Sequence, residues 1–159
     1  MKGTWYWPAV VIGVIAAVFL VADQLTRQPV VVHSVSDGRQ EISIPASRDG
    51  HYYLKGSING VPIDFMIDTG ATYVSVGDAF AKEAGLPQGV PGMFSTANGS
   101  VEGRIVKDQM VEAEGFRISG ISVAVTPLQG KAGLLGQNFL RRFEVSQSAG
   151  VMRLKPNHP

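Results

Sequence analysis

Turn chemistry constrains this chain most. Ile58-Asn59-Gly60-Val61 stands between HYYLKGS and PIDFMI, two stretches of alternating apolar character. Asn-Gly accepts positive φ at both central positions, as a type I′ hairpin turn requires. Ala97-Asn98-Gly99-Ser100 repeats the signal. Ser119-Gly120 divides GFRI from ISVAV and predicts a third hairpin, and Ser148-Ala149-Gly150 divides FEVSQ from VMRL and predicts a fourth. Glycine supplies 19 of the 159 residues, while only 17% are charged, against about 25% in an average soluble domain. Dense turns and sparse charge predict an all-β fold of many short strands. Only two short helices are expected. Asp78 can cap AFAKEA, with Gly85 closing it, and residues 137–142 form the second.

One segment has a different character. Residues 8–22 carry no charge, Trp5-Tyr6-Trp7 precede them, and Asp23 ends the run. As a helix, residues 5–22 would measure about 27 Å, close to the ~30 Å hydrocarbon core of a bilayer. The aromatic triplet fits an interfacial belt. A transmembrane anchor is the reading adopted. A cleaved signal peptide is the rival, although Leu20-Val21-Ala22 puts a bulky residue where a small one is wanted. A soluble helix would need one polar face, which this run lacks. Lys2 on one side and Arg27 and Arg39 on the other nearly balance, so the positive-inside rule leaves orientation open.

Composition also excludes chemistry. A formal charge of +1 argues against nucleic-acid binding, which needs a Lys/Arg excess. With no Cys, disulfides, thiolate metal sites and thiol catalysis are ruled out. His33, His51 and His158 are the only histidines, and their spacing is not that of metal ligands. Neither a metal nor a cofactor is expected. Ser75 and Ser95 lie in no nucleophile motif, so serine catalysis is not expected either.

A faint internal repeat relates Gly56-Ser57-Ile58-Asn59-Gly60-Val61, which leads to Asp68-Thr69-Gly70, to Gly115-Phe116-Arg117-Ile118-Ser119-Gly120-Ile121, which leads to Gly133-Leu134-Leu135-Gly136. It suggests two β-motifs packed about an internal pseudo-twofold axis.

The chemistry centres on one carboxylate. Phe65-Met66-Ile67-Asp68-Thr69-Gly70-Ala71 puts an acid directly after an apolar strand. A carboxylate there is costly unless it is hydrogen-bonded or functional. Gly70 lets the backbone turn an N–H toward Asp68, and Thr69 brings a hydroxyl that can fix the loop. The plainer alternative is an ordinary Asx turn. His51, Asp64 and Asp78 are read as structural: a hydrogen-bonding residue, a solvated-face residue and a helix cap. Arg141-Arg142 is read as a helix end.

With Gly133-Leu134-Leu135-Gly136-Gln137-Asn138-Phe139-Leu140 downstream, the Asp68-Thr69-Gly70-Ala71 segment resembles the retropepsin-like aspartic proteases. The resemblance runs from about Glu41 to Lys155. It is nearest to the bacterial, membrane-tethered branch, through Gly50-His51-Tyr52, Asn59-Gly60 and Thr96-Ala97-Asn98-Gly99.

The resemblance implies a closed β-barrel behind an N-terminal transmembrane helix. It divides the chain into an anchor and exit (1–28), a linker and first strand (29–47), the protease domain (48–155) and a tail (156–159). It implies Asp68 as the catalytic residue, supported by Thr69, Gly70 and Ala71. Ser95, Thr96, Ala97, Asn98 and Gly99 would cover the substrate, and Gly133, Leu134, Leu135 and Gly136 would brace the loop. Two aspartates share one proton, because two close carboxylates cannot both ionise cheaply. This chain has one Asp-Thr-Gly and no second lobe, so the partner Asp68 is expected from a homodimer. The substrate is a protein or peptide. The expected location is the bacterial inner membrane, single-pass, with the protease domain periplasmic.

Retroviral members place Asp and Arg where this chain has Thr72 and Gln137. Both charges are missing together, so neither is left unpaired; a neutral brace is expected in their place. The alternatives to an endopeptidase are a tethered, non-catalytic peptide-binding domain and a purely structural β-domain.

Overall fold

A computed structural model describes residues 31–36, 39–96, 99–128 and 132–157. The apolar run at residues 5–22 lies outside them, and so do Ala97 and Asn98. Among the described residues, eleven strands and two short helices follow in order: β1 (Val32–Ser36), β2 (Arg39–Pro45), β3 (Tyr53–Ile58), β4 (Val61–Ile67), β5 (Val74–Gly77), α1 (Asp78–Glu83), β6 (Val90–Thr96), β7 (Gly99–Ala113), β8 (Phe116–Thr126), β9 (Gly133–Leu135), α2 (Gln137–Leu140), β10 (Phe143–Ser148) and β11 (Val151–Pro156). The expectation of an all-β closed barrel with two short helices holds.

The larger sheet runs β3-β4-β9-β5-β8-β7-β6, and a further β3–β7 pairing closes its first six strands into a barrel. β6 stays outside as an extension of β7. β1-β2-β11-β10 form a separate antiparallel sheet. Alternation explains how that sheet joins the core: Ile42 and Ile44 of β2 and Met152 and Leu154 of β11 are buried on one face. Phe143, at the head of β10, stacks on Phe139 of α2 at 5.5 Å and meets Phe116 edge-on at 5.1 Å. These three rings tie α2, β10 and the start of β8 together.

Asn59 and Gly60 have φ of 52° and 84°, the left-handed pair that a type I′ turn needs. Ala149 and Gly150 behave alike, at 49° and 73°. The hairpin expected at Ser119-Gly120 does not form, because β8 runs unbroken through both residues. The turn into β8 is Glu114-Gly115, with φ of 45° and 84°. Gly120 (φ 75°) sits instead where the β7–β8 register shifts between Gln109 and Val111. A strand glycine with positive φ marks a bulge as readily as a turn.

The pairing pattern has its own twofold character. β4 runs parallel to β9 and β5 parallel to β8, while β5 and β9 cross antiparallel at Ser75 and Leu134. This corrects the alignment of the sequence repeat. Gly133-Leu134-Leu135-Gly136 corresponds to Val74-Ser75-Val76-Gly77, not to the Asp68 loop. Each strand leads into a glycine, Gly77 at the end of β5 and Gly136 just after β9, that forms the N-cap of a short helix. Asp78 is therefore the first helical residue and not the cap, and its carboxylate pairs with Arg104 at 2.7 Å.

Leu154 is fully buried and Val35 is 75% exposed. Leu154→Ala should lower unfolding stability by roughly 2–5 kcal/mol through lost contacts and a residual cavity. Val35→Ala should stay within about 0.5 kcal/mol. Denaturant titration of both variants checks the pair.

Candidate active site

β4 delivers Asp68 at its C-terminal end, after the buried Phe65 and Ile67. The loop turns at once. Asp68 accepts the Gly70 N–H on its own Oδ1 at 2.8 Å, and its carbonyl accepts the Ala71 N–H at 3.2 Å. The carboxylate is half-buried, while Thr69 and Gly70 are exposed. A side-chain oxygen bonded to the N–H two residues on is an Asx turn. The plain and the chemical readings of Asp68 thus describe the same geometry.

The loop is held from the other half of the barrel. Asp68 N–H donates to the Leu135 carbonyl at 3.2 Å, extending the β4–β9 ladder by one residue. Gln137 N–H donates to Ala71 O at 2.8 Å, and Asn138 N–H donates to Thr72 O at 3.0 Å. Gln137 Nε2 donates to Thr69 O at 2.9 Å. The neutral link expected between the positions of Thr72 and Gln137 is thus made to backbone carbonyls, and the Thr72 side chain takes no part in it. Thr69 contributes its carbonyl to the tie.

Two glycines permit this approach. A Cβ on Gly136 would collide with the Tyr73 carbonyl and lie 2.8 Å from Ala71 O. A Cβ on Gly133 would lie 2.9 Å from Ile63 Cδ1 and 3.1 Å from Phe65 Cδ1. The 133–136 segment is therefore bare at Gly133, where it passes the β4 side chains, and at Gly136, where it meets the loop.

Sequence reasoning passed over Asn138. Its Oδ1 accepts the Val74 N–H at 2.8 Å, and its Nδ2 donates to Ser122 O at 2.7 Å. One amide thereby joins α2, β5 and β8. An Asn after a helix-capping glycine looks ordinary in sequence, and only the parallel β5–β8 pairing brings its two partners together.

Ser95, Thr96 and Gly99 lie on the β6–β7 ribbon, where Ser95 pairs with Ser100 and Thr96 with Gly99. Thr96 Oγ1 donates to Gly99 O at 2.7 Å. The expected tip residues Ala97 and Asn98 are outside the described residues.

The remaining sequence candidates are structural. Asp64 is exposed and pairs with Lys55 at 3.2 Å. His51 acts through its backbone, accepting the Ser47 N–H at 2.8 Å and donating to Asp49 Oδ1 at 3.0 Å. Tyr53 OH donates to Asp49 Oδ2 at 2.7 Å. That hydroxyl, helped by the His51 N–H, holds the Asp49 carboxyl below the usual carboxylate range and pushes the Tyr53 phenol up. Among the described residues, no three His, Asp or Glu side chains gather as a metal site would require.

A family model described as "gag-polyprotein putative aspartyl protease" matches residues 54–142. The chain is similar to uncharacterized protein RP867 of Rickettsia prowazekii (strain Madrid E), with 32% identity over 65% of this chain and 46% of that protein. It is similar to an uncharacterized protein in the cobV 5′ region of Sinorhizobium sp., with 28% identity over 70% of this chain and 50% of that protein. The chain thus spans about half the length of these curated relatives. In structure it is similar to the crystal structure of a retropepsin-like aspartic protease from Rickettsia conorii. The TM-score is 0.58 and the identity 26%, covering 80% of this chain and 95% of that one.

Two outcomes follow from the site's hydrogen bonds. Asn138→Ala removes both bonds and strands the N–H of fully buried Val74; it should cost about 2–4 kcal/mol in chemical denaturation. Asn138→Asp keeps the acceptor for Val74 but sets a carboxylate oxygen against the Ser122 carbonyl, and should cost at least as much at neutral pH. Asp49 has a depressed folded-state pKa, so its stabilising contribution is present above its unfolded value and is lost as pH falls through the folded one. Tyr53→Phe should move the Asp49 carboxyl titration upward, which NMR of that carboxyl reads directly.

Proposed function

This chain belongs to the retropepsin-like aspartic protease family, and from that premise we propose a membrane-anchored aspartic endopeptidase that acts as a homodimer. The observation that carries the proposal is the setting of Asp68. It is a half-buried residue at a strand end whose carboxylate accepts the Gly70 N–H and whose backbone N–H donates to the Leu135 carbonyl. Its loop is clamped by Gln137 and Asn138. A fixed carboxylate with a solvated face suits general acid–base work, which depends on holding the proton-transferring atom in position.

The barrel carries a single Asp-Thr-Gly. Water-activating chemistry in this family uses two carboxylates, so a second copy supplies the other Asp68 across a twofold axis. The ionised Asp68 takes a proton from water as the water oxygen attacks the scissile carbonyl carbon. The protonated Asp68 donates a hydrogen bond to the carbonyl oxygen. Collapse of the tetrahedral intermediate breaks the C–N bond, with a proton passed to the leaving amine. The β6–β7 ribbon covers a protein or peptide substrate through residues 95–99.

The apolar run at residues 5–22 supports an anchor in the bacterial inner membrane, with the barrel on the periplasmic side. Confinement to one surface raises the effective concentration of the partner and favours a weak dimer.

A peptide-library digest with the full chain, in membranes or detergent, tests this. Wild type should cleave, and Asp68→Asn should lose activity by about 1,000-fold or more. A pepstatin-type inhibitor should block the wild type, and specific activity should rise with protein concentration. Equal cleavage by the two proteins would overturn the proposal. Intact peptide affinity without any cleavage would replace it with the non-catalytic binding domain.

A further inference from the structure

β7 is fifteen residues long, and its first part leaves the barrel. Pairing with β8 begins at Arg104, whereas residues 99–103 pair only with β6. A two-stranded ribbon standing alone is marginally stable. This one is further weakened by two facing glycines, because Gly92 pairs with Gly103 and neither has a side chain to pack.

The bare patch has an occupant. Phe94 pairs with Val101, one step of the pleat beyond the glycine pair and on the same face. Its ring lies back over the glycines: a Cβ on Gly103 would meet Phe94 Cε2 at 2.9 Å, and one on Gly92 would meet it at 3.8 Å. Folded that way, the ring reaches Tyr73 edge-on, with centroids 6.4 Å apart and planes at 83°. Edge-to-face rings at this separation attract one another.

Tyr73 is the fixed member of the pair. It sits between the Asp68 loop and β5, with its carbonyl pressed against Gly136 and accepting the Ser75 hydroxyl at 3.2 Å. At the root of the ribbon, Arg104 Nη1 bonds Asp78 Oδ1 at 2.7 Å. The salt bridge secures the base, and the aromatic contact secures the projecting part.

We propose that Phe94 and Tyr73 form a clasp that sets the position of the β6–β7 ribbon over the Asp68 loop. Both are positioning residues: the clasp acts on substrate through the ribbon, and the catalytic chemistry stays with Asp68. Gly92 and Gly103 leave the ring a flat seat, and Gly103 is bare for a second reason, since a Cβ there would also strike the Val125 carbonyl at 2.5 Å. The functional consequence rests on the reading of the ribbon as substrate-covering. The clasp itself does not, since it is a property of the folded chain.

The test uses the full chain and its variants Phe94→Ala, Tyr73→Ala, the double substitution and Tyr73→Phe. Amide hydrogen exchange over residues 92–103 should quicken about tenfold in either alanine variant, with the thermal midpoint of the barrel nearly unchanged. The double variant should be no faster than the singles, because both remove one contact. Tyr73→Phe keeps the ring and should match wild type. With a cleaved peptide in hand, KM should rise about fivefold in the alanine variants while kcat stays within twofold. Unchanged exchange in both alanine variants, or additive effects in the double, would overturn the clasp. Failure of the wild type to cut any peptide would overturn the protease reading alone, and the exchange result would still decide the clasp.

Discussion

The structure depends on the insertion of β9 between β4 and β5. β9 is only three residues long, yet it pairs parallel with one neighbour and antiparallel with the other. Without it, the strand that ends in Asp68 and the strand that follows the Asp68 loop would have no common partner. The insertion works because its flanks are bare. Gly133 lets Ile63 and Phe65 pack against the backbone, and Gly136 lets the 71–73 segment close over the strand end. Leu135, between them, is fully buried and offers its carbonyl to Asp68 N–H. A backbone bond of this kind places the Asp68 main chain, and the Gly70 N–H then orients the carboxylate.

That dependence explains how the two halves of the barrel share labour. β5 leads through Gly77 into α1, and β9 leads through Gly136 into α2. The equivalent helices serve different ends. At the head of α1, Asp78 turns outward to Arg104 at the root of the β6–β7 ribbon. At the head of α2, Gln137 and Asn138 turn inward to the Asp68 loop and to β5 and β8. One near-twofold framework thus holds a ribbon on one side and a carboxylate loop on the other, with Tyr73 lying where the two meet.

Much of this is legible in the sequence, for reasons that can be stated. Asn59-Gly60 announces its turn because few residues tolerate two consecutive positive φ values, and at Ala149-Gly150 the glycine alone carries the signal. The same logic misplaces the turn before β8. Glu114 is not a typical left-handed residue, yet it adopts φ 45° because its side chain and backbone are occupied: Oε1 accepts Lys55 N–H at 3.0 Å, and its own N–H donates to Lys55 O at 2.9 Å. Those partners lie 59 residues away, so no local pattern reveals them. Asp78 misleads in a related way. A short acid before a helical run reads as a cap, but a distant Arg104 takes the carboxylate and leaves the cap to glycine. The meeting of residues 133–136 with the Asp68 loop is legible only as a resemblance. The bonds of Asn138 and the seat of Phe94 follow from strand pairings that cross the whole barrel.

Glycine is the thread through these cases, and its uses differ in kind. At positions 60, 115 and 150 it permits a backbone conformation, with φ of 84°, 84° and 73°. At positions 103, 133 and 136 it permits an approach, because a single Cβ would strike a ring or a carbonyl. Composition cannot separate the two uses, and a glycine-rich β-protein looks the same either way. The distinction decides where change is tolerated. A turn glycine can give way to Asn, which also visits the left-handed region, at modest cost. An approach glycine has no substitute, since even alanine must push the neighbour aside. The second kind stands near Asp68 at 133 and 136 and at the root of the ribbon at 103, and also on the barrel wall at Gly56, where a Cβ would strike the Glu112 carbonyl. At Gly136, where a Cβ would strike the Tyr73 and Ala71 carbonyls, the fold and the candidate site are fixed by the same contact.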